Sequence, residues 1–159
     1  MVTIVRVLVL SDSHGFLSHM QNAVEKEHPD CVIHLGDHIR DADELQAEFP
    51  KIPVMQVKGN CDFCDFITPE CRIDTFHNVR VMAMHGHTHG VKSNLLRLLL
   101  AAKENAVHVA LFGHTHCPYC EYADDIWLVN PGSCGAKSSG SYAMIEIVGD
   151  KCTCYLKSI

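Results

Sequence analysis

The sequence predicts an α/β fold built as one domain, residues 1–159. Three observations carry this expectation. Apolar strand-like runs alternate with helical patterns through the first 60 residues. Most of those runs stop at a Gly, Asp, Asn or His. A chain of 159 residues, 47% hydrophobic and 20% charged, supplies one sizeable core and not comfortably two.

The elements follow in order. Residues 2–10 form a nearly unbroken β-branched and apolar run, the pattern of a strand covered on both faces, and "SDSHG" ends it. Leu17, Met20 and Val24 share one helical face, and His28-Pro29 stops that helix because proline has no N–H for the ladder. The cycle repeats with "CVIHLGD" as a buried strand, "DADELQAEF" as a helix closed by Pro50, and "PVMQVKGNCD" as a third strand. Past residue 70 the pattern changes to "CRIDTF", a turn at His77-Asn78, and "VRVMAMHG", which reads as a hairpin. A Leu-rich helix over residues 93–104 has Ser93 as its expected N-cap. "AVHVALFGH" is another buried strand, and "IWLVNPGS", "SYAMIEIV" and "KCTCYLK" are three closing strands, with "GAKSSGS" and "GD" as turns.

Composition excludes several function classes. With 13 Lys+Arg against 19 Asp+Glu the formal charge is −6, and no basic run offers a nucleic-acid surface. The apolar N-terminal run is broken by Arg6 and lacks a small-residue cleavage site, and no run approaches the roughly 20 residues needed to cross a bilayer. A cytoplasmic location, with no membrane partner, is the expectation. Nine cysteines, odd in number and scattered through strands and loops, read as reduced thiols and not as a disulfide framework.

The motifs "SDSHG", "LGDH", "KGNCD", "MHGH" and "FGHTH" all follow strands. Ligands of open α/β sheets bind beyond the carboxyl ends of strands, so these loops are expected to meet along one edge. They would bring together Asp12, His14, Asp37, Asn60, His85, His114 and His116: two carboxylates, one amide oxygen and four imidazoles. Such a set suits Mn, Fe, Ni or Zn at an open site. Asp-x-His and His-x-His spacing would point both side chains of each pair the same way if those segments were extended. Asp37 has two oxygens with which to bridge cations, so the ligand supply fits two ions better than one.

"DSH", "GD", "GNCD", "HGH" and "GHTH" in this order, with "NPGS" at 130–133, resemble the calcineurin-like metallophosphoesterases, over essentially the whole chain. The length is similar to that of the small YfcE-like phosphodiesterase branch, which is related to a retromer subunit of the same fold. The resemblance implies a four-layer α/β/β/α sandwich of two mixed sheets flanked by helices. It implies one ion held by Asp12, His14 and His116, a second by Asn60, His85 and His114, and Asp37 bridging them. Two divalent ions about 3.5–4 Å apart would generate a bridging hydroxide for in-line attack on a small phosphoester substrate, a phosphodiester first among candidates. Manganese is the leading expectation for the metal, with iron, nickel, zinc and magnesium also compatible. Oligomeric state is left open, a homo-oligomer included.

The two "GHTH" copies are not equivalent under this resemblance. His114 and His116 align with ligands in the second, whereas in the first the aligned ligand is His85, just before the tetrapeptide; His87 then faces the substrate and His89 faces solvent. One departure concerns catalysis. Many relatives carry His after the Asn of the third motif, placed to protonate the leaving group, but this chain has Cys61, and a thiol near pKa 8.5 matches acid catalysis poorly. Asn60, Cys61 and His87 are therefore the candidate catalytic residues, with His87 as substitute acid, or with esters whose leaving group needs no proton.

Blander readings hold elsewhere. His19, His28, His34, His77 and His108 are taken as core or surface residues, His38 is undecided, and Asp62 is balanced between orienting a neighbour and a solvated turn. Asn130 and Ser133 are read as turn chemistry beneath the site, and Cys152 and Cys154 as small core residues of the last strand. "CPYC" at 117–120 and "CDFC" at 61–64 raise a redox dithiol or a structural zinc, but "CPYCEYADD" leads through acidic turn residues into the next strand instead of opening a helix, and 52 residues separate the two pairs. A non-catalytic interaction scaffold of the same fold is the main alternative.

Overall fold

The computed structural model describes residues 2–159. Strands β1 (Ile4–Leu10), β2 (Cys31–His34) and β3 (Val54–Gln56) alternate with helices α1 (Leu17–Glu27) and α2 (Ile39–Glu48). The hairpin β4 (Cys71–Phe76) and β5 (Val79–Met84) follows, then α3 (Leu96–Glu104), β6 (Val109–Leu111), β7 (Tyr119–Ala123), β8 (Ile126–Asn130), β9 (Ser141–Val148) and β10 (Lys151–Ser158). They form two five-stranded mixed sheets, ordered β10-β9-β1-β2-β3 and β4-β5-β6-β8-β7. In the first, β1, β2 and β3 run parallel, with β9 antiparallel to β1. In the second, β5, β6 and β8 run parallel.

Strand periodicity sorts the core into three apolar layers. Val7 and Val9 of β1 face inward with Ile33, Val81, Val109, Val129 and Ile145 between the sheets. Their neighbours Leu8 and Leu10 point the other way, onto Met20, Val24 and Leu45 of α1 and α2. Across the second sheet, Met82, Met84, Ala110 and Phe112 pack under Leu98 and Ala102 of α3. The result is the expected α/β/β/α sandwich, and each fully buried Leu or Ile contributes about 1.5–3 kcal/mol. Glu27 fastens α1 to the first sheet: its buried carboxylate accepts from Tyr142 Oη (2.7 Å), Lys157 Nζ (2.8 Å) and Arg6 Nη2 (2.8 Å). Burial alone would raise its pKa, but those hydrogen bonds and the two cations leave it lowered.

Two local expectations change. "CPYCEYADD" was expected to be turn, yet Tyr119–Ala123 is β7, paired antiparallel with β8. The strand places Cys120 against the inner core while Glu121 and Tyr122 stay exposed, so the acidic residues mark a solvent face and not a loop. Nor does Ser93 cap α3. The helix begins at Leu96, and Asn94 Oδ1 accepts the Leu96 N–H at 3.0 Å. Among the described residues no helix is long and apolar enough to cross a membrane.

Candidate metal centre

Six loops leave the carboxyl ends of β1, β2, β3, β5, β6 and β8 and converge. Asp12, His14, Asp37 and His116 each present a ligand atom within 4.8 Å of all the others. Asp12 Oδ1 lies 3.0 Å from His116 Nε2 and 4.0 Å from His14 Nε2, which is also 4.0 Å from Asp37 Oδ2. On the far side of Asp37, His85 Nε2 stands 3.5 Å from Oδ2 and 3.0 Å from Asn60 Oδ1. The His114 ring packs on that of His85 with centroids 5.1 Å apart. All seven residues read from the sequence therefore gather at one edge.

The reason for the pairing of Asp12 with His14, and of His114 with His116, differs from the expected one. None of the four is extended: their φ angles are 54°, 46°, 67° and 59°, and Asp37 adds a fifth at 58°. Non-glycine residues rarely adopt this left-handed region, and its appearance at a site marks backbone held against its preference by surrounding structure. The restraints are visible. Ser11 Oγ donates to Asp12 Oδ2 (2.5 Å) and Ser133 Oγ to the Asp12 carbonyl (2.8 Å), while Asn130 Nδ2 donates to the Gly113 carbonyl (3.0 Å) and Thr115 Oγ1 (2.9 Å). Asn130 and Ser133 thus brace the β1 and β6 loops from beneath. Gly59 is required by close approach, since a Cβ there would run into the Asp37 carboxylate.

Asp62 resolves to the orienting reading. Buried, it accepts four backbone N–H groups: Asp37 (2.8 Å) and Gly59 (2.8 Å) on Oδ2, His38 (2.9 Å) and Ile39 (3.1 Å) on Oδ1. One carboxylate ties the loop carrying Asp37 to the loop carrying Asn60, and caps α2 on the way. His34, given no role from the sequence, donates Nε2–H to Ser13 Oγ (3.0 Å) while Nδ1 accepts the Gly36 N–H (3.2 Å), and full burial pushes its pKa down to about 4. Of the others, His38 is exposed and sets its ring edge-on to His14 at 5.3 Å. His87 flanks His85 and His114 at 5.5 and 6.1 Å. His89 is half-buried, beside Thr88, and not fully solvent-facing as expected.

Electrostatics and donor chemistry fit a divalent cation. His85 Nδ1 sits 2.8 Å from the Leu35 carbonyl and must carry the proton there, leaving Nε2 as a lone pair that faces Asp37 and Asn60 oxygens. Asp12 Oδ1 and His14 Nε2 are buried without a hydrogen-bond partner. Lone pairs so crowded repel unless a cation lies among them. Burial alone would raise the Asp37 pKa, but the Cys61 N–H on Oδ1 (2.9 Å) and neighbouring His85 leave it lowered, in the ionised form a metal needs. Burial, then mutual repulsion with His85, lowers the pKa of both His87 and His114, which favours their neutral, ligating form. Burial and the acids Asp37, Asp62 and Asp12 push the Cys61 thiol up. All nine cysteines are unpaired, and the two C-x-x-C loops show no common thiolate cluster among the described residues.

Comparison with known proteins agrees with this geometry. A model of the calcineurin-like phosphoesterase superfamily domain matches residues 5–150. The chain is 33% identical over 153 residues to the probable metallophosphoesterase YsnB of Bacillus subtilis, covering 92% of this chain and 87% of that protein. It is also 33% identical over 103 residues to the phosphodiesterase YfcE of Escherichia coli K12, covering 58% of this chain and 52% of that protein. A crystal structure of a single mutant of Vps29 from Entamoeba histolytica shares the fold with a TM-score of 0.76 at 21% identity, over 97% of this chain and 99% of that one.

Proposed function

The chain belongs to the calcineurin-like phosphoesterase superfamily, and from that premise we propose that it is a dinuclear-metal phosphodiesterase. Asp12, His14 and His116 would hold one ion and Asn60, His85 and His114 the second, with Asp37 shared between them. The observation that carries this reading is the four-ligand cluster in which Asp12 Oδ1, 3.0 Å from His116 Nε2, and His14 Nε2 are buried without a hydrogen bond. Two divalent ions, manganese first among candidates, would supply Lewis-acid activation of water and of the phosphoryl group at this site. The protein's own part is positioning. Asn60, whose Oδ1 lies 3.0 Å from His85 Nε2, and His87, its ring 5.5 Å from that of His85, stand beside the cluster, where an amide N–H and a ring N–H would orient the phosphoryl group and stabilise its developing charge. Cys61, its thiol pushed up by burial and the acids Asp37, Asp62 and Asp12, stands where many relatives carry the acid, which favours esters whose leaving group needs little protonation.

Elemental analysis of purified protein, paired with manganese-dependent turnover of bis(p-nitrophenyl) phosphate, tests the reading. Two equivalents of metal and chelator-sensitive turnover are expected, and Asp37→Ala should lose both. The second reading is an interaction scaffold, favoured by the Vps29-like fold. Folded protein that turns over no diester with any divalent ion would decide for the scaffold.

A further inference from the structure

A groove of about 470 Å3 opens beside the metal cluster. It starts at His38, whose ring meets that of His14, and at Cys61, whose N–H holds Asp37. It runs along the first turns of α2, past Arg40 and Asp43. A volume of this size accommodates a small organic group.

The charges in the groove fall into two kinds. Asp62 and Asp65 are committed to backbone: Asp62 takes four N–H groups, and Asp65 takes the Ile67 and Thr68 N–H groups and the Thr68 hydroxyl. Arg40 and Asp43 are not. They stand three residues apart on α2, a spacing at which opposite charges ordinarily pair. Yet Arg40 has no ion pair or side-chain hydrogen bond among the described residues, and Asp43 uses only Oδ1, toward Gln56 Nε2 at 2.8 Å. A separated, exposed guanidinium and carboxylate offer donors beside a free acceptor. Between these two uncommitted groups a second phosphate would suit Arg40 but be repelled by Asp43, and an amine would suit Asp43 but be repelled by Arg40. Hydroxyls satisfy both, since each donates to a carboxylate and accepts from a guanidinium.

Resting on the phosphodiesterase reading above, we propose that this groove receives a hydroxylated arm of the substrate, such as a sugar or polyol ester, read by Arg40 and Asp43. The probes are ribose 5-phosphate, phenyl phosphate and inorganic phosphate, titrated calorimetrically into manganese-loaded protein. Ribose 5-phosphate should bind roughly tenfold more tightly than the other two, the worth of one or two hydrogen bonds to charged groups. Arg40→Ala and Asp43→Ala should each remove most of that margin, while the affinity for inorganic phosphate, which has no arm to place in the groove, stays unchanged. Equal affinity for ribose 5-phosphate and inorganic phosphate, an equal gain for phenyl phosphate, or a margin that survives both substitutions would overturn the proposal. Failure of the phosphodiesterase reading is seen separately, as absent diester turnover by the unaltered protein.

Discussion

Replacing Asp62 with Asn isolates positioning from chemistry, because the shape is kept and only the acceptors on one side are lost. The amide retains one oxygen, enough for two of the four N–H groups; its NH2 would point at the other two. If the oxygen stays with His38 and Ile39, the N–H groups of Asp37 and Gly59 lose their partner; the flipped amide frees the α2 cap instead. Each buried donor left unsatisfied costs about 1–3 kcal/mol, so the total is about 2–6 kcal/mol. For a chain of this size that is a fall in Tm of roughly 4–20 °C. Where the oxygen stays with His38 and Ile39 the Asp37 loop is freed, so the metal concentration giving half-maximal turnover should rise at least tenfold, with turnover at saturating metal largely restored. Thermal unfolding of metal-free protein and a manganese titration of diester hydrolysis measure both effects. An unchanged Tm with turnover lost at every metal concentration would mean that Asp62 acts in the chemistry and not through backbone position.

Other outcomes follow from the same contacts. Gly59→Ala drives a methyl into the Asp37 carboxylate, so manganese retained after gel filtration should drop to one equivalent or less while the circular dichroism spectrum is kept. Glu27→Ala should destabilise the fold by about 3 kcal/mol in urea unfolding, the low end of the range for breaking a buried pair, because Arg6 and Lys157 remain 36% exposed and water can take them up. Acid should weaken the metal-free protein before carboxylates titrate. His34 takes a proton near pH 6.5 when unfolded but only near pH 4 when folded, so the unfolded state binds more protons in that window and stability falls as pH drops through it, by about 3 kcal/mol. Urea unfolding of chelated protein at pH 7 and pH 5, between which about 2 kcal/mol of that fall is expected, checks this, and His34→Gln should shrink the difference.

The α/β elements were legible because their signal is local, whereas the two-sheet sandwich they build came only from the family resemblance. Strand periods of two, helix faces such as Leu17–Met20–Val24, and stops at Pro29 and Pro50 are each set by a few neighbouring residues, and short connections then restrict the topology. β7 escaped for the opposite reason. Glu121 and Tyr122 look like a loop until β8 is there to pair with them, and an edge strand with one wet face carries weak periodicity. The seven candidate ligand residues could be singled out because metals demand particular atoms, and those atoms stand at strand ends that the fold brings to one edge.

What holds these residues in place was only partly readable: Asn130 and Ser133 were placed beneath the site and Asp62 had an orienting role as one alternative, but Ser11 and His34 were given no part in it. Ser11, His34, Asp62, Asn130 and Ser133 are ordinary polar residues whose importance lies in partners 1 to 121 positions away. The backbone shows why so many are needed. Five ligands sit in the left-handed region, at a cost of order 1–3 kcal/mol each, and a loop obeying its own preferences would turn those side chains elsewhere. The hydrogen bonds beneath the site therefore do more than decorate it: they maintain a strained arrangement in which carboxylate and imidazole lone pairs face one another. That arrangement opposes stability in the absence of a cation and becomes favourable with one. Metal binding and folding of these six loops should accordingly be linked, with each strengthening the other.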